Sequence, residues 1–270
     1  MADRPILFSA PMIRAILREI EQPGTGKTQT RRTVDFPPMS VDAIFNDDGA
    51  WYIGDAVTGH RYAKLPVRYR AGDRLWVREH WRVAERRDAI KPRDLLPRKV
   101  TVMFEAGGSI ANQANGKWEP ADPPMEGTGV MPRWAGRFRH GMHLPRWASR
   151  ITLVVTEVRV QRLQEISEAD AIAEGVIRKD PTPTDEEWNR QWAEDHGVNA
   201  DPIEPVYLAP GTRQGFGSRP NDPQWGPTLE FAFSLLWDSL NAERAPWESN
   251  PWVAAYTFRP ILGNIDLIQP

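Results

Sequence analysis

The residues best suited to chemistry lie in "PGTGKTQTRR", residues 23–32. Here Lys27, Thr28, Thr30, Arg31 and Arg32 place an amine, two hydroxyls and two permanent cations within six residues. A lysine acts as a general base only when neutral, so burial or nearby positive charge must lower its pKa by several units. Arg31 and Arg32 push in that direction. The same stretch contains the GKT that ends a Walker A loop, G-x-x-x-x-G-K-[ST], but the first glycine of that pattern would fall at Glu21. Order argues against it as well: Ile13, Ile16, Leu17 and Ile20 have helical spacing and precede the glycines, whereas a phosphate loop precedes its helix. Pro23, Gly24 and Gly26 therefore read as helix termination. If the chain continues as a strand, Lys27 and Arg31 share one face, and Thr28, Thr30 and Arg32 the other.

Two further features stand out. Glu174 ends a short helix immediately before Gly175, where a carboxylate opposes the helix dipole at a cost of ~0.3–1 kcal/mol. Either function or an indifferent exposed position explains it. "RWAGRFRHGMHLPRWASR" (133–150) carries five arginines, two histidines, two tryptophans and a phenylalanine without an acid. Cations interleaved with flat rings suit single-stranded nucleic acid. The competing reading is a basic face paired with the acids of 165–204. His140 and His143 lack the H-E-x-x-H pattern, and no metal site is assigned to them.

These residues must be positioned by one large domain or two small ones, since 270 residues suffice for a substantial core. With 34 basic against 36 acidic side chains the net charge is −2, so any polyanion site must be a local patch. The absence of cysteine excludes disulfides, thiol nucleophiles and thiolate zinc sites. Most of the 12 tryptophans are expected in the core, with a minority at a rim where they can stack on bases. The N-terminus has Asp3 and Arg4 and no long apolar run, so neither a signal peptide nor a membrane span is expected, and a cytoplasmic location follows.

Periodicity predicts a helix over about 10–21, then a polar, turn-rich stretch through residue 60. Strands are expected in "AGDRLWVREHW" after the Gly72-Asp73 turn, in "KVTVMFEA" (99–106), and in "SRITLVVTEVRVQRL" (149–163), the last long enough to bend or to serve two sheet positions. "ISEADAIAEG" predicts a short helix with Ser167 as N-cap and Gly175 as the C′ glycine. "TDEEWNRQWAED" suggests a helix with a Thr184/Glu187 capping box, "PTLEFAFSLLWDSLNA" a helix, and "WVAAYTFRPI" a closing strand. Residues 106–132 and 178–226 read as loop excursions. The expected fold class is α+β, one domain over 1–270 around a small, barrel-like sheet.

At "GTGKTQTRR", "GDRLWVRE", "LPRWASRITLVVTEVRVQRLQEISEADAIAEGV" and the closing "LWDSLNA…PWESNPWVAAYTFRPI", the chain resembles the ASCH domain family of PUA-like proteins, particularly phage- and prophage-encoded members. The resemblance spans nearly the whole order of motifs outside the two excursions. It implies a small β-barrel with flanking helices and a cleft for RNA or a modified base, and a host-cytoplasm location if phage-encoded. One bacterial branch of the family hydrolyses the acetyl amide of N4-acetylcytidine. Its lysine and threonine lie in a G-x-K-T-x-T-x-R stretch that Gly26–Arg32 resembles, with the leading glycine one position closer. Lys27 and Thr30 are the matching positions, and Glu174 matches the family's glutamate late in the helix after the long strand. The resemblance thus implies Lys27, Thr30 and Glu174 as catalytic residues, with Lys27 activating water or Thr30 and Glu174 moving the proton.

Substrate-binding candidates are Arg32, Arg31 and Thr28 from the loop and Arg146 and Trp147 from the basic stretch. The expected partner is a modified pyrimidine nucleoside or single-stranded nucleic acid, with no metal, cofactor or membrane involved. The alternatives are a non-catalytic RNA- or DNA-binding module and a single-strand-specific ribonuclease.

Overall fold

A computed structural model describes residues 2–36, 43–97, 100–110, 132–200, 202, 205–210 and 228–268. In chain order they form β1 (Asp3–Leu7), α1 (Ala10–Glu21), β2 (Gln29–Thr33), β3 (Ala43–Asp47), β4 (Ala50–Gly54), β5 (Arg61–Lys64), β6 (Arg74–Arg78) and β7 (Trp81–Arg82). Then follow β8 (Val102–Phe104), β9 (Ser109–Ile110), β10 (Ile151–Arg162), α2 (Glu168–Ala173), β11 (Ile177–Lys179), α3 (Pro183–His196), β12 (Val206–Leu208), α4 (Leu229–Asn241) and β13 (Trp252–Leu262). The architecture is mixed α+β and rich in sheet.

The main sheet has the order β1-β6-β10-β13-β2, with β1 parallel to β6 and the other pairs antiparallel. Its spine is β10, whose β-branched, apolar run pairs with β13 along its length and with β6 only over Thr152–Val154. A register shift between Val155 and Glu157 bends the strand between these duties. Leu75, Val77, Leu153, Val155, Tyr256 and Phe258 enter one core with Ile13 and Ile16 of α1 and Phe233 and Trp237 of α4. Burying each large apolar side chain contributes roughly 1.5–3 kcal/mol, which holds both helices on the sheet.

In hydrogen-bond order this sheet is open, with β1 and β2 as its edges. The edges nevertheless approach each other: Arg32 of β2 donates from Nη2 to the Leu7 carbonyl of β1 at 2.9 Å, and its guanidinium lies 5.3 Å from the Phe8 ring centroid. Side chains, not a backbone ladder, bring them together. A second core of Trp81, Val83, Val102, Phe104, Leu144 and Ala148 organises β7, β8 and β9 beyond the end of β6.

Several expectations are corrected. The stretch taken as polar turns through residue 60 contains the β3-β4-β5 meander, whose Ile53 is fully buried. The 178–226 excursion is bracketed by β11 paired with β12 and contains α3; the N-cap of α3 is Thr182, reciprocated by Asp185, rather than Thr184 with Glu187. Within the 106–132 excursion, β9 pairs with β8, and 111–131 lie outside the described residues, as do 211–227. Much of the basic stretch is turned inward or paired. Arg139 lies over Trp81, Arg150 binds Glu79, and Arg146 binds Asp3 and Asp266, none of them an acid of 165–204. Among the described residues no helix is long and apolar enough to cross a membrane.

Candidate functional site

The loop between α1 and β2 is pinned from both sides. On the α1 side, the Glu19 carboxylate accepts the backbone N–H of Gly24 at 3.0 Å and of Gly26 at 2.9 Å, while Lys27 N–H donates to the Ala15 carbonyl at 3.0 Å. The amides that a phosphate loop would offer to a ligand are therefore taken within the fold, two by the Glu19 carboxylate and the others by backbone carbonyls, and a strand rather than a helix follows. The loop touches α1 so closely that a Cβ on Gly26 would sit 2.3 Å from the Ala15 oxygen. On the other side, Thr28 N–H donates to the Ala173 carbonyl of α2 at 2.8 Å, and the Thr28 carbonyl accepts from Phe258 N–H at 2.8 Å.

These ties bring Lys27 to the C-terminus of α2. Ser167 caps that helix by accepting from Asp170 N–H, and Gly175, at φ +98°, turns the chain away with the left-handed geometry that glycine favours. At the C-cap, Glu174 presents its backbone carbonyl and its carboxylate, and Lys27 Nζ donates to both: to the carbonyl at 2.9 Å and to Oε2 in a very short ion pair. The cation at a helix C-terminus is favourable and offsets the adverse placement of the Glu174 charge.

Arg31, on the same face of β2 as Gln29, completes the cluster. Its Nη1 donates to Glu174 Oε1 at 3.1 Å and its Nη2 to Asp170 Oδ2 at 2.8 Å, and its guanidinium lies 5.6 Å from the Phe233 ring centroid. Asp170 also accepts from Gln29 at 3.0 Å and from Arg159. Lys27, Arg31 and Arg159 stand against Asp170 and Glu174, and Glu157, 3.8 Å from Arg159 Nε, balances the third cation from the exposed side. Lys27 is 1% exposed and Glu174 3%, so this is charge chemistry away from bulk water.

Burial pushes the Lys27 ammonium below its ordinary pKa; the charge and hydrogen bond of Glu174 oppose the shift, and Arg32 and Arg31 reinforce it. Between the opposing charges of Glu174 and the arginines, desolvation decides the direction. Burial first raises the Asp170 carboxyl, but the hydrogen bonds from Arg159 and Gln29 and the nearby arginine charges outweigh it, and its pKa is lowered.

Lys27, Thr30, Arg31, Arg32 and Glu174 line one narrow pocket, walled by Phe8 and Met12 and by Phe233, Leu236, Trp237, Leu240 and Asn241 of α4. It holds about 40 Å³, room for roughly three waters. The three candidate catalytic residues therefore converge, together with two of the candidate binding residues. Thr28 is held by its backbone between α2 and β13 and does not line the pocket. Arg146 and Trp147 stand elsewhere, Arg146 in ion pairs with Asp3 and Asp266 and Trp147 against the second core. Sequence reasoning missed Asp170, whose partners Gln29 and Arg31 lie 141 and 139 residues away. The one local signal was its place in the first turn after Ser167, which reads equally as a capping residue. Among the described residues no cluster of three or more His, Asp or Glu side chains suited to a metal ion occurs.

No protein-family model matches the chain, no curated protein matches it, and no solved structure matches it. The class that the fold and site define is an α+β protein with a buried lysine–carboxylate–arginine cluster opening on a pocket.

Proposed function

We propose that this chain is an ASCH-type, PUA-like protein that hydrolyses the N4-acyl amide of a modified cytidine. The observation that carries this reading is the buried contact of Lys27 with Glu174 beside Thr30 and Arg32 in a single pocket. The approach of β2 to β1 through Arg32 and Leu7 supports a sheet curled in the PUA-like manner.

Amide hydrolysis needs a base for water, a donor for the carbonyl oxygen and a proton for the departing amine. Lys27 uses two of its three ammonium hydrogens on Glu174, and its lowered pKa makes a proton passed to the Glu174 carboxylate accessible. Neutral Lys27 then removes a proton from water as its oxygen attacks the acyl carbon. Thr30 and Arg32 donate to the oxygen that gains negative charge. Glu174 returns the proton to N4, the C–N bond breaks, and cytidine and the carboxylic acid leave. Arg31 and Asp170 hold Glu174 in place throughout. Admission of a pyrimidine requires α4 side chains such as Leu240, 54% exposed at the rim, to swing outward.

The test is incubation with N4-acetylcytidine and chromatographic detection of cytidine for the wild type and Lys27→Ala. Cytidine is expected from the wild type, with a loss of at least ~100-fold in the variant. Equal product from both would remove Lys27 from the mechanism. No product from concentrated wild type would turn attention to strand binding or ribonuclease activity.

A further inference from the structure

Three arginines beside the pocket have no carboxylate partner. Arg31, Arg74, Arg82, Arg146, Arg150 and Arg159 each hold a carboxylate oxygen within 2.8 Å. Arg32, Arg68 and Arg78 make no ion pair among the described residues, and Arg78 Nε is buried without an acceptor there. Uncompensated arginines that converge repel one another unless an anion joins them.

They converge around the junction of β1 with β6. Leu7 is the register partner of Arg78, Phe8 N–H donates to the Arg78 carbonyl at 3.1 Å, and Arg32 binds the Leu7 carbonyl. Arg68 is fixed from the opposite side, because its N–H donates to the Tyr256 hydroxyl at 3.1 Å and Tyr256 is the register partner of Thr30. Each guanidinium lies over a ring: Arg78 over Trp76 at 4.4 Å, Arg68 over Tyr69 at 5.4 Å and Arg32 over Phe8 at 5.3 Å. Stacking on its face orients a guanidinium and leaves the N–H donors of its edge for a ligand. Burial lowers the pKa of both Arg32 and Arg78, and the charge of Arg68 adds to the shift on each, least on Arg32, where the negative charge of Glu174 opposes it; the charges of all three reach the Tyr69 hydroxyl.

We propose that Arg32, Arg68 and Arg78 form a phosphate-binding subsite, so that the base presented to Lys27 and Thr30 belongs to a nucleotide rather than to a free nucleoside. Oxygens of a phosphate match the forked donors of arginine. Arg32 belongs to both pocket and cluster and so sets base and phosphate at a fixed separation. The inference rests on the reading of the pocket as a nucleobase site.

The experiment measures binding of cytidine, cytidine 5′-monophosphate and a short single-stranded oligocytidine to the intact protein by calorimetry. Arg68→Gln/Arg78→Gln is run in parallel and its fold checked by circular dichroism. The monophosphate is expected to bind at least ~10-fold tighter than cytidine, and the variant to lose that preference while binding cytidine as before. Should the double variant fail to fold, Arg68→Gln at its exposed position carries the test and is expected to cut the preference several-fold. A further gain for the oligocytidine, weakening steeply with salt, identifies a strand as the source of the phosphate; no further gain identifies a free nucleotide. Equal binding of cytidine and its monophosphate, no binding of the monophosphate, or a preference that survives in the variant would overturn the subsite. Hydrolysis of N4-acetylcytidine with no phosphate preference would overturn it while leaving the amidohydrolase reading intact. A phosphate preference without hydrolysis would do the reverse.

Discussion

Replacing Glu174 by Gln keeps the side chain's shape and removes the negative charge that Lys27 and Arg31 share. The charge sum of the cluster rises by one, and Asp170 is left as the carboxylate that faces Lys27 and Arg31, while Arg159 also has Glu157. Breaking a buried pair from one side costs ~3–5 kcal/mol. The lower end applies here, about 3 kcal/mol, because Arg31 keeps Asp170 at 2.8 Å and Lys27 can release its proton. For a chain of this size that is a fall in Tm of roughly 6–12 °C. The deficit also has a pH signature. Lys27 already has a folded-state pKa below its unfolded value, and loss of Glu174 removes the attraction that opposed the shift. The penalty for burying the charged amine is fully present below the folded pKa, and it is relieved as pH rises from there toward the unfolded value near ~10.4. The stability gap between the wild type and Glu174→Gln should therefore narrow as pH rises from neutral. Urea unfolding across that range measures it, with Lys27→Met/Glu174→Gln as a control. The control should be more stable than Glu174→Gln alone, because no buried amine is left uncompensated, and yet inactive. A Glu174→Gln loss under ~0.5 kcal/mol, or a gap that widens with pH, would refute the account of the buried charges.

Gly26→Ala is expected to abolish folding or to lower Tm severely by calorimetry, since its Cβ would lie 2.3 Å from the Ala15 oxygen and 2.4 Å from the Glu19 nitrogen, both backbone atoms that cannot swing aside. Arg146→Gln removes pairs with Asp3 and Asp266 from a side chain 36% exposed, so it should cost no more than ~1 kcal/mol in urea unfolding. It should leave cytidine binding unchanged, and a large loss of binding would place the basic stretch at the substrate.

Legibility in the sequence followed the range over which each feature is determined. The helix expected over 10–21, the strand from Arg74 and the long strand from Ile151 rest on apolar periodicity, and each forms as α1, β6 and β10. The short helix formed with Ser167 as cap and Gly175 at positive φ because both signals are local. By contrast β1 pairs in parallel with β6 across 71 residues, and its "DRPIL" alternates too briefly to announce itself. The basic stretch shows the same limit: composition registers five arginines, but the partners of Arg139, Arg146 and Arg150, namely Asp88, Asp3, Asp266 and Glu79, are assigned only by tertiary contact.

The candidate site is the case where a local oddity and a distant one explain each other. A carboxylate at the C-terminus of α2 is unfavourable beside that helix's dipole, and a lysine buried to 1% exposure is unfavourable without a counter-charge. Each removes the other's penalty, which ties the loop before β2 to the C-cap of α2 across 147 residues. A purely structural tie would do as well or better with two apolar side chains of similar volume. This tie instead sits at a pocket that Arg32 also lines, with one ammonium hydrogen left over. A stability gain together with inactivity on replacing both Lys27 and Glu174 by Met would show that the pair is retained for chemistry. A net loss of stability in the double replacement, smaller than the sum of the single replacements because each already breaks the same pair, and with activity retained, would assign it to the fold alone.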